Sequence, residues 1–274
     1  MKLYISIDME GITGLVDATF VDSRQYNYTR GQHRMTEEAN HVIGAAFEQG
    51  CKEVVVNDSH SKMNNLLIEK LHPEAQLIMG DVKPFSMVQG LDSSYAGAAF
   101  LGYHSRAGRP GVLSHTMIFG VRNMFLNGRE VGELGLNAFV AGYYGVPVLL
   151  VAGDDETALE AEELIPGVTT AVVKKRVSRT AAVCLTPEKS GQLLMEKTKE
   201  ALANRDKVQP LQPPEQPVLS IEFANYGQAE WAHLMPGTTI DSNSPVVTFQ
   251  AKHMLEAYQA MIVMTELAMK TTFC

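Results

Sequence analysis

The stretch EVVVNDSH, residues 53–60, decides how the rest of the chain reads. Three consecutive β-branched valines without polar alternation fit a strand covered on both faces, as in parallel sheets. That strand ends in Asn57, Asp58, Ser59 and His60. Two other stretches share the build. KLYISIDME (2–10) is a short strand running into Asp8 and Glu10, and GAAFLGYH (97–104) is a buried strand running into His104. Between them, apolar positions at helical spacing follow Thr36-Glu37-Glu38 up to Gly50, a shorter helix covers Leu66 to Leu71 before Pro73, and Gln76 to Met79 forms a short strand. Further on, Gly132 to Tyr144 reads as a helix and Val146 to Ala152 as a strand. Asp154-Asp155-Glu156 opens another helix, with acids at its positive end. This alternation predicts an α/β fold with a mostly parallel sheet flanked by helices. Ligands in such folds bind beyond the carboxyl ends of the strands.

The later chain is less regular. Thr169 to Lys174, Val218 to Phe223 and Val246 to Gln250 read as strands, and 187–204 and 253–270 as helices. Residues 209–217 contain Pro210, Pro213, Pro214 and Pro217, which makes them an extended linker or loop. We therefore divide the chain into a metal-binding catalytic α/β domain, 1–174, and a smaller C-terminal α+β region, 175–274. The second region is expected to contribute to self-association and to the surround of the active site. The proline-rich stretch near residue 210 is the competing boundary.

The 274 residues carry a formal net charge of -8, with 45% apolar and 20% charged side chains. An acidic soluble chain of this kind argues against nucleic acid and anionic membranes as partners. The uncharged run Leu134 to Gly153 is interrupted by Gly142, Gly145 and Pro147 and reads as helix then strand, not as a membrane span. Asp8 and Glu10 stand where a secretion signal needs apolar residues, and Cys51, Cys184 and Cys274 have no disulfide or zinc-site spacing. A cytoplasmic location with reduced thiols is expected.

Asp8 and Glu10, two apart on an extended chain, project to the same side. Like charges that close repel unless a cation neutralises them, although two solvated loop acids are the plainer alternative. His60 and His104 add imidazoles at the ends of two further strands, and imidazole with carboxylate suits zinc and similar ions. Asp58 either orients His60 or caps the next segment. Glu133 opens a helix between Gly132 and Gly135, where the helix dipole alone favours a carboxylate. His115, after the turn-rich 108–111 loop, is a candidate base, nucleophile or substrate contact, or simply an exposed loop histidine. His33, His41, His72, His233 and His253 lack an acidic partner pattern and read as structural. Serine-hydrolase, P-loop and dinucleotide motifs are absent from the sequence.

At these residues the chain resembles a known family. The segments SIDMEGITG (6–14), VVVNDSHSKMNN (54–65), GDVKPFSMV (80–88), FLGYHSRAG (100–108), LSHTMIFG (113–120), GELGLNAFVAGYYGVPV (132–148) and SIEFANYGQAEWAHLMPG (220–237) are similar to the zinc-dependent D-aminopeptidases of the DppA type, peptidase family M55. The resemblance implies two zinc ions per subunit bridged by Asp8. Glu10 and His60 would complete one site, and His104 and Glu133 the other. It further implies His115 as the catalytic residue, short peptides with an N-terminal D-residue of the D-Ala type as substrates, and a ring-shaped homo-oligomer, possibly a decamer. Two other readings compete. The segment from Asp8 faintly resembles the nucleophile loop of magnesium-dependent phosphatases, with Asp8 as nucleophile. A non-catalytic peptide-binding protein is the other.

Overall fold

The apolar runs pair with one another at the centre of a seven-stranded sheet. In this computed structural model, which describes residues 1–271, the chain runs β1 (Lys2–Ile7), α1 (Ala18–Val21), α2 (Tyr28–Glu48), β2 (Glu53–Asp58), β3 (Gln76–Ile78), β4 (Gly97–Tyr103), β5 (Val121–Leu126), β6 (Arg129–Glu130), α3 (Glu133–Tyr143), β7 (Val148–Asp154), α4 (Asp155–Leu164), β8 (Thr169–Ser178), β9 (Ala181–Cys184), α5 (Pro187–Ala203), β10 (Val218–Phe223), α6 (Tyr226–His233), β11 (Thr238–Ile240), β12 (Val246–Gln250) and α7 (Met254–Ala268). Cys51 and Cys184 are free thiols, and Cys274 lies outside the described residues.

The large sheet has the order β3-β2-β1-β4-β7-β8-β9. All its pairings are parallel except the closing hairpin of β8 with β9. Every residue of β4 and β7 is buried, which explains why their sequences show no alternation. Helices α2 and α5 pack on each other, with α2 also against β1 and β4 and α5 against β7 and β8, while α3 packs on β4 and α4. The strand order reverses between β1 and β4. The chain steps outward from β1 to β2 and β3, then returns to the other side of β1. Such a reversal leaves a crevice beyond the strand ends, and Asp8 and His104 follow the two strands that flank it.

A second, antiparallel sheet has the order β11-β12-β10-β5-β6. Helix α7 packs on its strands β10 and β12 and against α3. The division drawn after residue 174 falls inside β8, and the second sheet takes β5 and β6 from the earlier part of the chain.

Three elements differ from their sequence reading. Helix α2 begins at Tyr28, eight residues before Thr36, because Gly31 and Met35 also face the core. At Gly31 a Cβ would come within 2.5 Å of the Phe20 carbonyl oxygen, so only glycine lets the helix lie that close to α1. The segment Leu66 to Leu71 forms a single 3-10 turn, Ile68–Lys70. Its entry is set instead by the Asp58 carboxylate, which accepts from the backbone N–H groups of Asn65 (2.5 Å) and Leu66 (2.7 Å). The β8 strand runs on to Ser178 and turns back as β9. No helix among the described residues is long and apolar enough to cross a membrane.

Candidate metal centre

Asp8, Glu10, His60, His104 and Glu133 come together, and each is less than a tenth exposed. Asp8 lies at the centre. Its Oδ1 is 3.2 Å from His60 Nδ1, and its Oδ2 is 3.5 Å from His104 Nε2. Each oxygen thus faces a different imidazole. Glu10 Oε2 adds a second carboxylate to the His60 side at 3.1 Å, and Glu133 Oε2 adds one to the His104 side at 3.5 Å.

The far nitrogen of each imidazole is held by backbone. His60 Nε2 donates to the Val21 carbonyl at 2.8 Å, and His104 Nδ1 donates to the Ser105 carbonyl at 3.0 Å. Those bonds select the tautomers that leave His60 Nδ1 and His104 Nε2 bare and turned toward the carboxylates, an arrangement typical of metal-bound histidine. A bare imidazole nitrogen and a carboxylate oxygen are both acceptors, so a proton or a cation must lie between them. His104 Nε2 is buried and has no hydrogen-bond partner. Geometry and donor chemistry therefore fit a metal: nitrogen and oxygen ligands in two half-sites that share Asp8.

Charge agrees. Burial, followed by repulsion from Glu10, raises the Asp8 carboxyl to about 7. Burial alone would lower the His104 imidazole, but Glu133 and Asp8 overcome it and hold the group at about 10. For Glu10 the sign is opposite: burial raises it, and the facing His60 more than reverses this, leaving it well below the usual carboxylate range. The site without a cation keeps its protons by necessity, and a divalent ion would replace them.

His115 stands at the edge of this centre, half-buried, with its ring stacked on His104 at 4.1 Å. Its Nδ1 donates to the Leu113 carbonyl at 2.8 Å, which leaves Nε2 free. Ligand atoms of His104, His115 and Glu133 lie within 4.8 Å of one another. Burial and the charge of His104 lower its pKa. The loop carrying it is pinned: Met117 N donates to Glu133 Oε1 at 2.5 Å, and Leu113 N to the Arg179 carbonyl at 2.8 Å. Leu113 and Met117 both adopt positive φ, +57° and +60°, a strain concentrated on the two sides of His115.

The backbone beneath the centre depends on two glycines. Gly11 N donates to the Gly102 carbonyl at 2.7 Å. A Cβ on Gly102 (φ +63°) would lie 2.0 Å from the Asp8 carbonyl oxygen, and one on Gly11 2.0 Å from that of Tyr103. Only glycines allow the ends of β1 and β4 to approach closely enough to share ligands.

Asp58, one of two alternatives in sequence, caps the 60–66 loop and does not touch the His60 ring. His33, His41, His72, His233 and His253 all lie elsewhere; His253 caps α7 and His72 stacks on Phe47. Sequence reasoning missed Lys174. Its buried ammonium donates to the carbonyls of Glu10 (2.5 Å), Ile12 (3.0 Å) and Leu15 (2.5 Å). Three acceptors require three N–H donors, so the group is held as the cation although burial lowers its pKa to about 8. A lysine directly after the apolar run Ala171-Val172-Val173 was the available signal.

A model of the peptidase M55 family, described as D-aminopeptidase, matches residues 1–263. A D-aminopeptidase of Bacillus subtilis (strain 168) is 70% identical over 274 residues, 100% of both chains. A solved structure described as the Zn-dependent D-aminopeptidase DppA from Bacillus subtilis, a self-compartmentalizing protease, is similar with a TM-score of 0.99 and 70% identity, covering 100% of each chain.

Proposed function

The chain belongs to the peptidase M55 family of D-aminopeptidases, and on that premise we propose that Asp8, Glu10, His60, His104 and Glu133 hold two zinc ions at which it hydrolyses short peptides with an N-terminal D-residue of the D-Ala type. It is a peptidase hydrolase. The observation that carries the residue assignment is the bare, buried His104 Nε2 facing Asp8 and Glu133.

Zinc supplies a Lewis acid for the scissile carbonyl and a water of lowered pKa. The protein's own groups do the rest. Asp8 would be shared between the two ions, Glu10 and His60 would hold one, and His104 and Glu133 would hold the other. Val21 and Ser105 hold the two imidazoles in the ligating tautomer. His115, whose pKa burial lowers and whose Nε2 is free, would take a proton at Nε2 and later deliver it to the departing amine.

The competing readings find no support. As a phosphatase nucleophile, Asp8 would need an oxygen open to substrate, and both its oxygens face imidazoles. A non-catalytic binder has no use for the clustered ligands. We further propose that the chain assembles with copies of itself, as the self-compartmentalizing nature of the similar Bacillus protease supports, and that the assembly is a ring of ten subunits. In this reading the region after residue 174 takes part in assembly and supplies the β8–β9 hairpin to the surround of the site. A cytoplasmic location accords with the free thiols of Cys51 and Cys184.

The test is hydrolysis of D-Ala and L-Ala p-nitroanilides with bound zinc measured on the same preparation. Wild type should carry about two zincs per chain and cleave only the D-substrate, and Asp8→Ala should lose both properties. Full activity in Asp8→Ala would remove the assignment.

A further inference from the structure

We propose that Arg179, with Phe119, forms a subsite that binds the free C-terminal carboxylate of the peptide, so that the natural substrates are very short peptides with an unblocked C-terminus. The inference rests on the function proposed above. If His115 delivers the proton to the departing amine, the leaving residue must lie on the His115 side of the metal centre. Two side chains define that side. The Phe119 ring sits 4.9 Å from His115 and is 72% exposed, a large apolar surface open to whatever enters. The Arg179 guanidinium lies over that ring at 5.7 Å.

Arg179 occupies the tip of the β8–β9 hairpin and is tied to the catalytic loop twice. Its carbonyl accepts from Leu113 N at 2.8 Å, and its Nη2 donates to the Ser114 carbonyl at 3.1 Å. The guanidinium is therefore aimed, and most of its donor fork is unused. Arg106 and Arg109, near in sequence to the same loop, are instead paired with Glu130 and Glu163. Arg179 forms no ion pair among the described residues. A peptide carboxylate is the partner whose planar, bidentate geometry such a fork matches. In a dipeptide the carboxylate carbon is only about 2.5 Å from the scissile nitrogen, so a leaving residue resting on Phe119 keeps its carboxylate close to the reacting bond.

The test compares kcat/KM for D-Ala-D-Ala with that for its C-terminal amide, in wild type, Arg179→Gln and Arg179→Lys. The ratio is independent of how much enzyme is folded. Wild type should prefer the free acid by about tenfold, mainly through KM, the size expected of a partly exposed charge-assisted pair. Arg179→Gln should bring the ratio close to one, and Arg179→Lys should keep part of it. A wild-type ratio of one, or an unchanged ratio in Arg179→Gln, overturns the subsite. Wild-type hydrolysis of D-Ala p-nitroanilide, which has no carboxylate, separates the two ideas. If the anilide is cleaved and the ratio test fails, only the subsite falls. If no D-substrate is cleaved, the proposed function falls and takes the subsite with it.

Discussion

Single ionisable side chains in this protein sit where water cannot help them. Outside the metal centre, Glu38 is the plainest case. It is buried on α2, accepts from Thr13 N at 3.1 Å and Ser190 Oγ at 2.7 Å through Oε1, and leaves Oε2 without a partner. Burial raises its pKa from 4.5 to about 7, against the pull of those two donors. Between these values the folded chain binds a proton that the unfolded chain has released, so this group's contribution to stability falls as pH rises from 4.5 toward 7. Glu38→Gln is neutral throughout. It should match wild type near pH 4 and exceed it by on the order of 1–3 kcal/mol at pH 8, read as the difference in urea unfolding between the two proteins. A difference that does not change with pH would show that Glu38 stays ionised in the fold. The same physics made the proposed metal ligands readable in sequence: acids and histidines at the ends of apolar strands are expensive there without a cation. Nothing comparable marked Phe119 or Arg179, whose meaning arises only when a hairpin some sixty residues downstream settles against the catalytic loop.

Elements meet at the centre through backbone, and there the sequence was least informative. Strands β1, β2, β4 and β7 were legible because burial on both faces leaves uninterrupted apolar runs. Strand β5 was not: Arg122 and Asn123 break the apolar pattern of VRNMFL, and its pairing partner β10 lies nearly a hundred residues away. The first turns of α2 were hidden because their core contacts rest on Gly31 and Met35 among polar neighbours. Gly102 could be read only as a small residue in a strand, whereas its φ of +63° and its closeness to the Asp8 carbonyl make it a hinge between two strand ends. Gly102→Ala should destabilise the fold by on the order of 3 kcal/mol and reduce bound zinc, measured together by thermal unfolding and metal analysis. Normal zinc content in that variant would mean the strand ends tolerate separation. Lys174→Met removes the cation that β8 lends to the Glu10–Leu15 turn. It should cost on the order of 3 kcal/mol in urea unfolding, because three carbonyls lose their donor. A variant as stable as wild type would show that the turn holds itself.

For the whole molecule, the two sheets divide the labour. The parallel sheet builds the ligand cluster, and the antiparallel sheet with α7 is joined to it through α3, whose buried Asn137 accepts from Tyr258 at 2.8 Å and donates to Tyr103 at 2.7 Å. Assembly into a closed ring predicts that light scattering of the purified protein returns a large multiple of the 30.0 kDa chain mass. A monomer at micromolar concentration would contradict it. The Lys174 clamp also has a consequence for how the protein is made. Glu10 precedes by 164 residues the ammonium that fixes the turn after it. At a synthesis rate of about 5–20 residues per second, the nascent carboxylates wait roughly 8–30 s before the lysine that shapes their turn exists. Throughout that interval the growing chain carries the Asp8 and Glu10 carboxylates without the clamp that shapes their turn, so the proposed zinc site acquires its frame only after residue 174 is made.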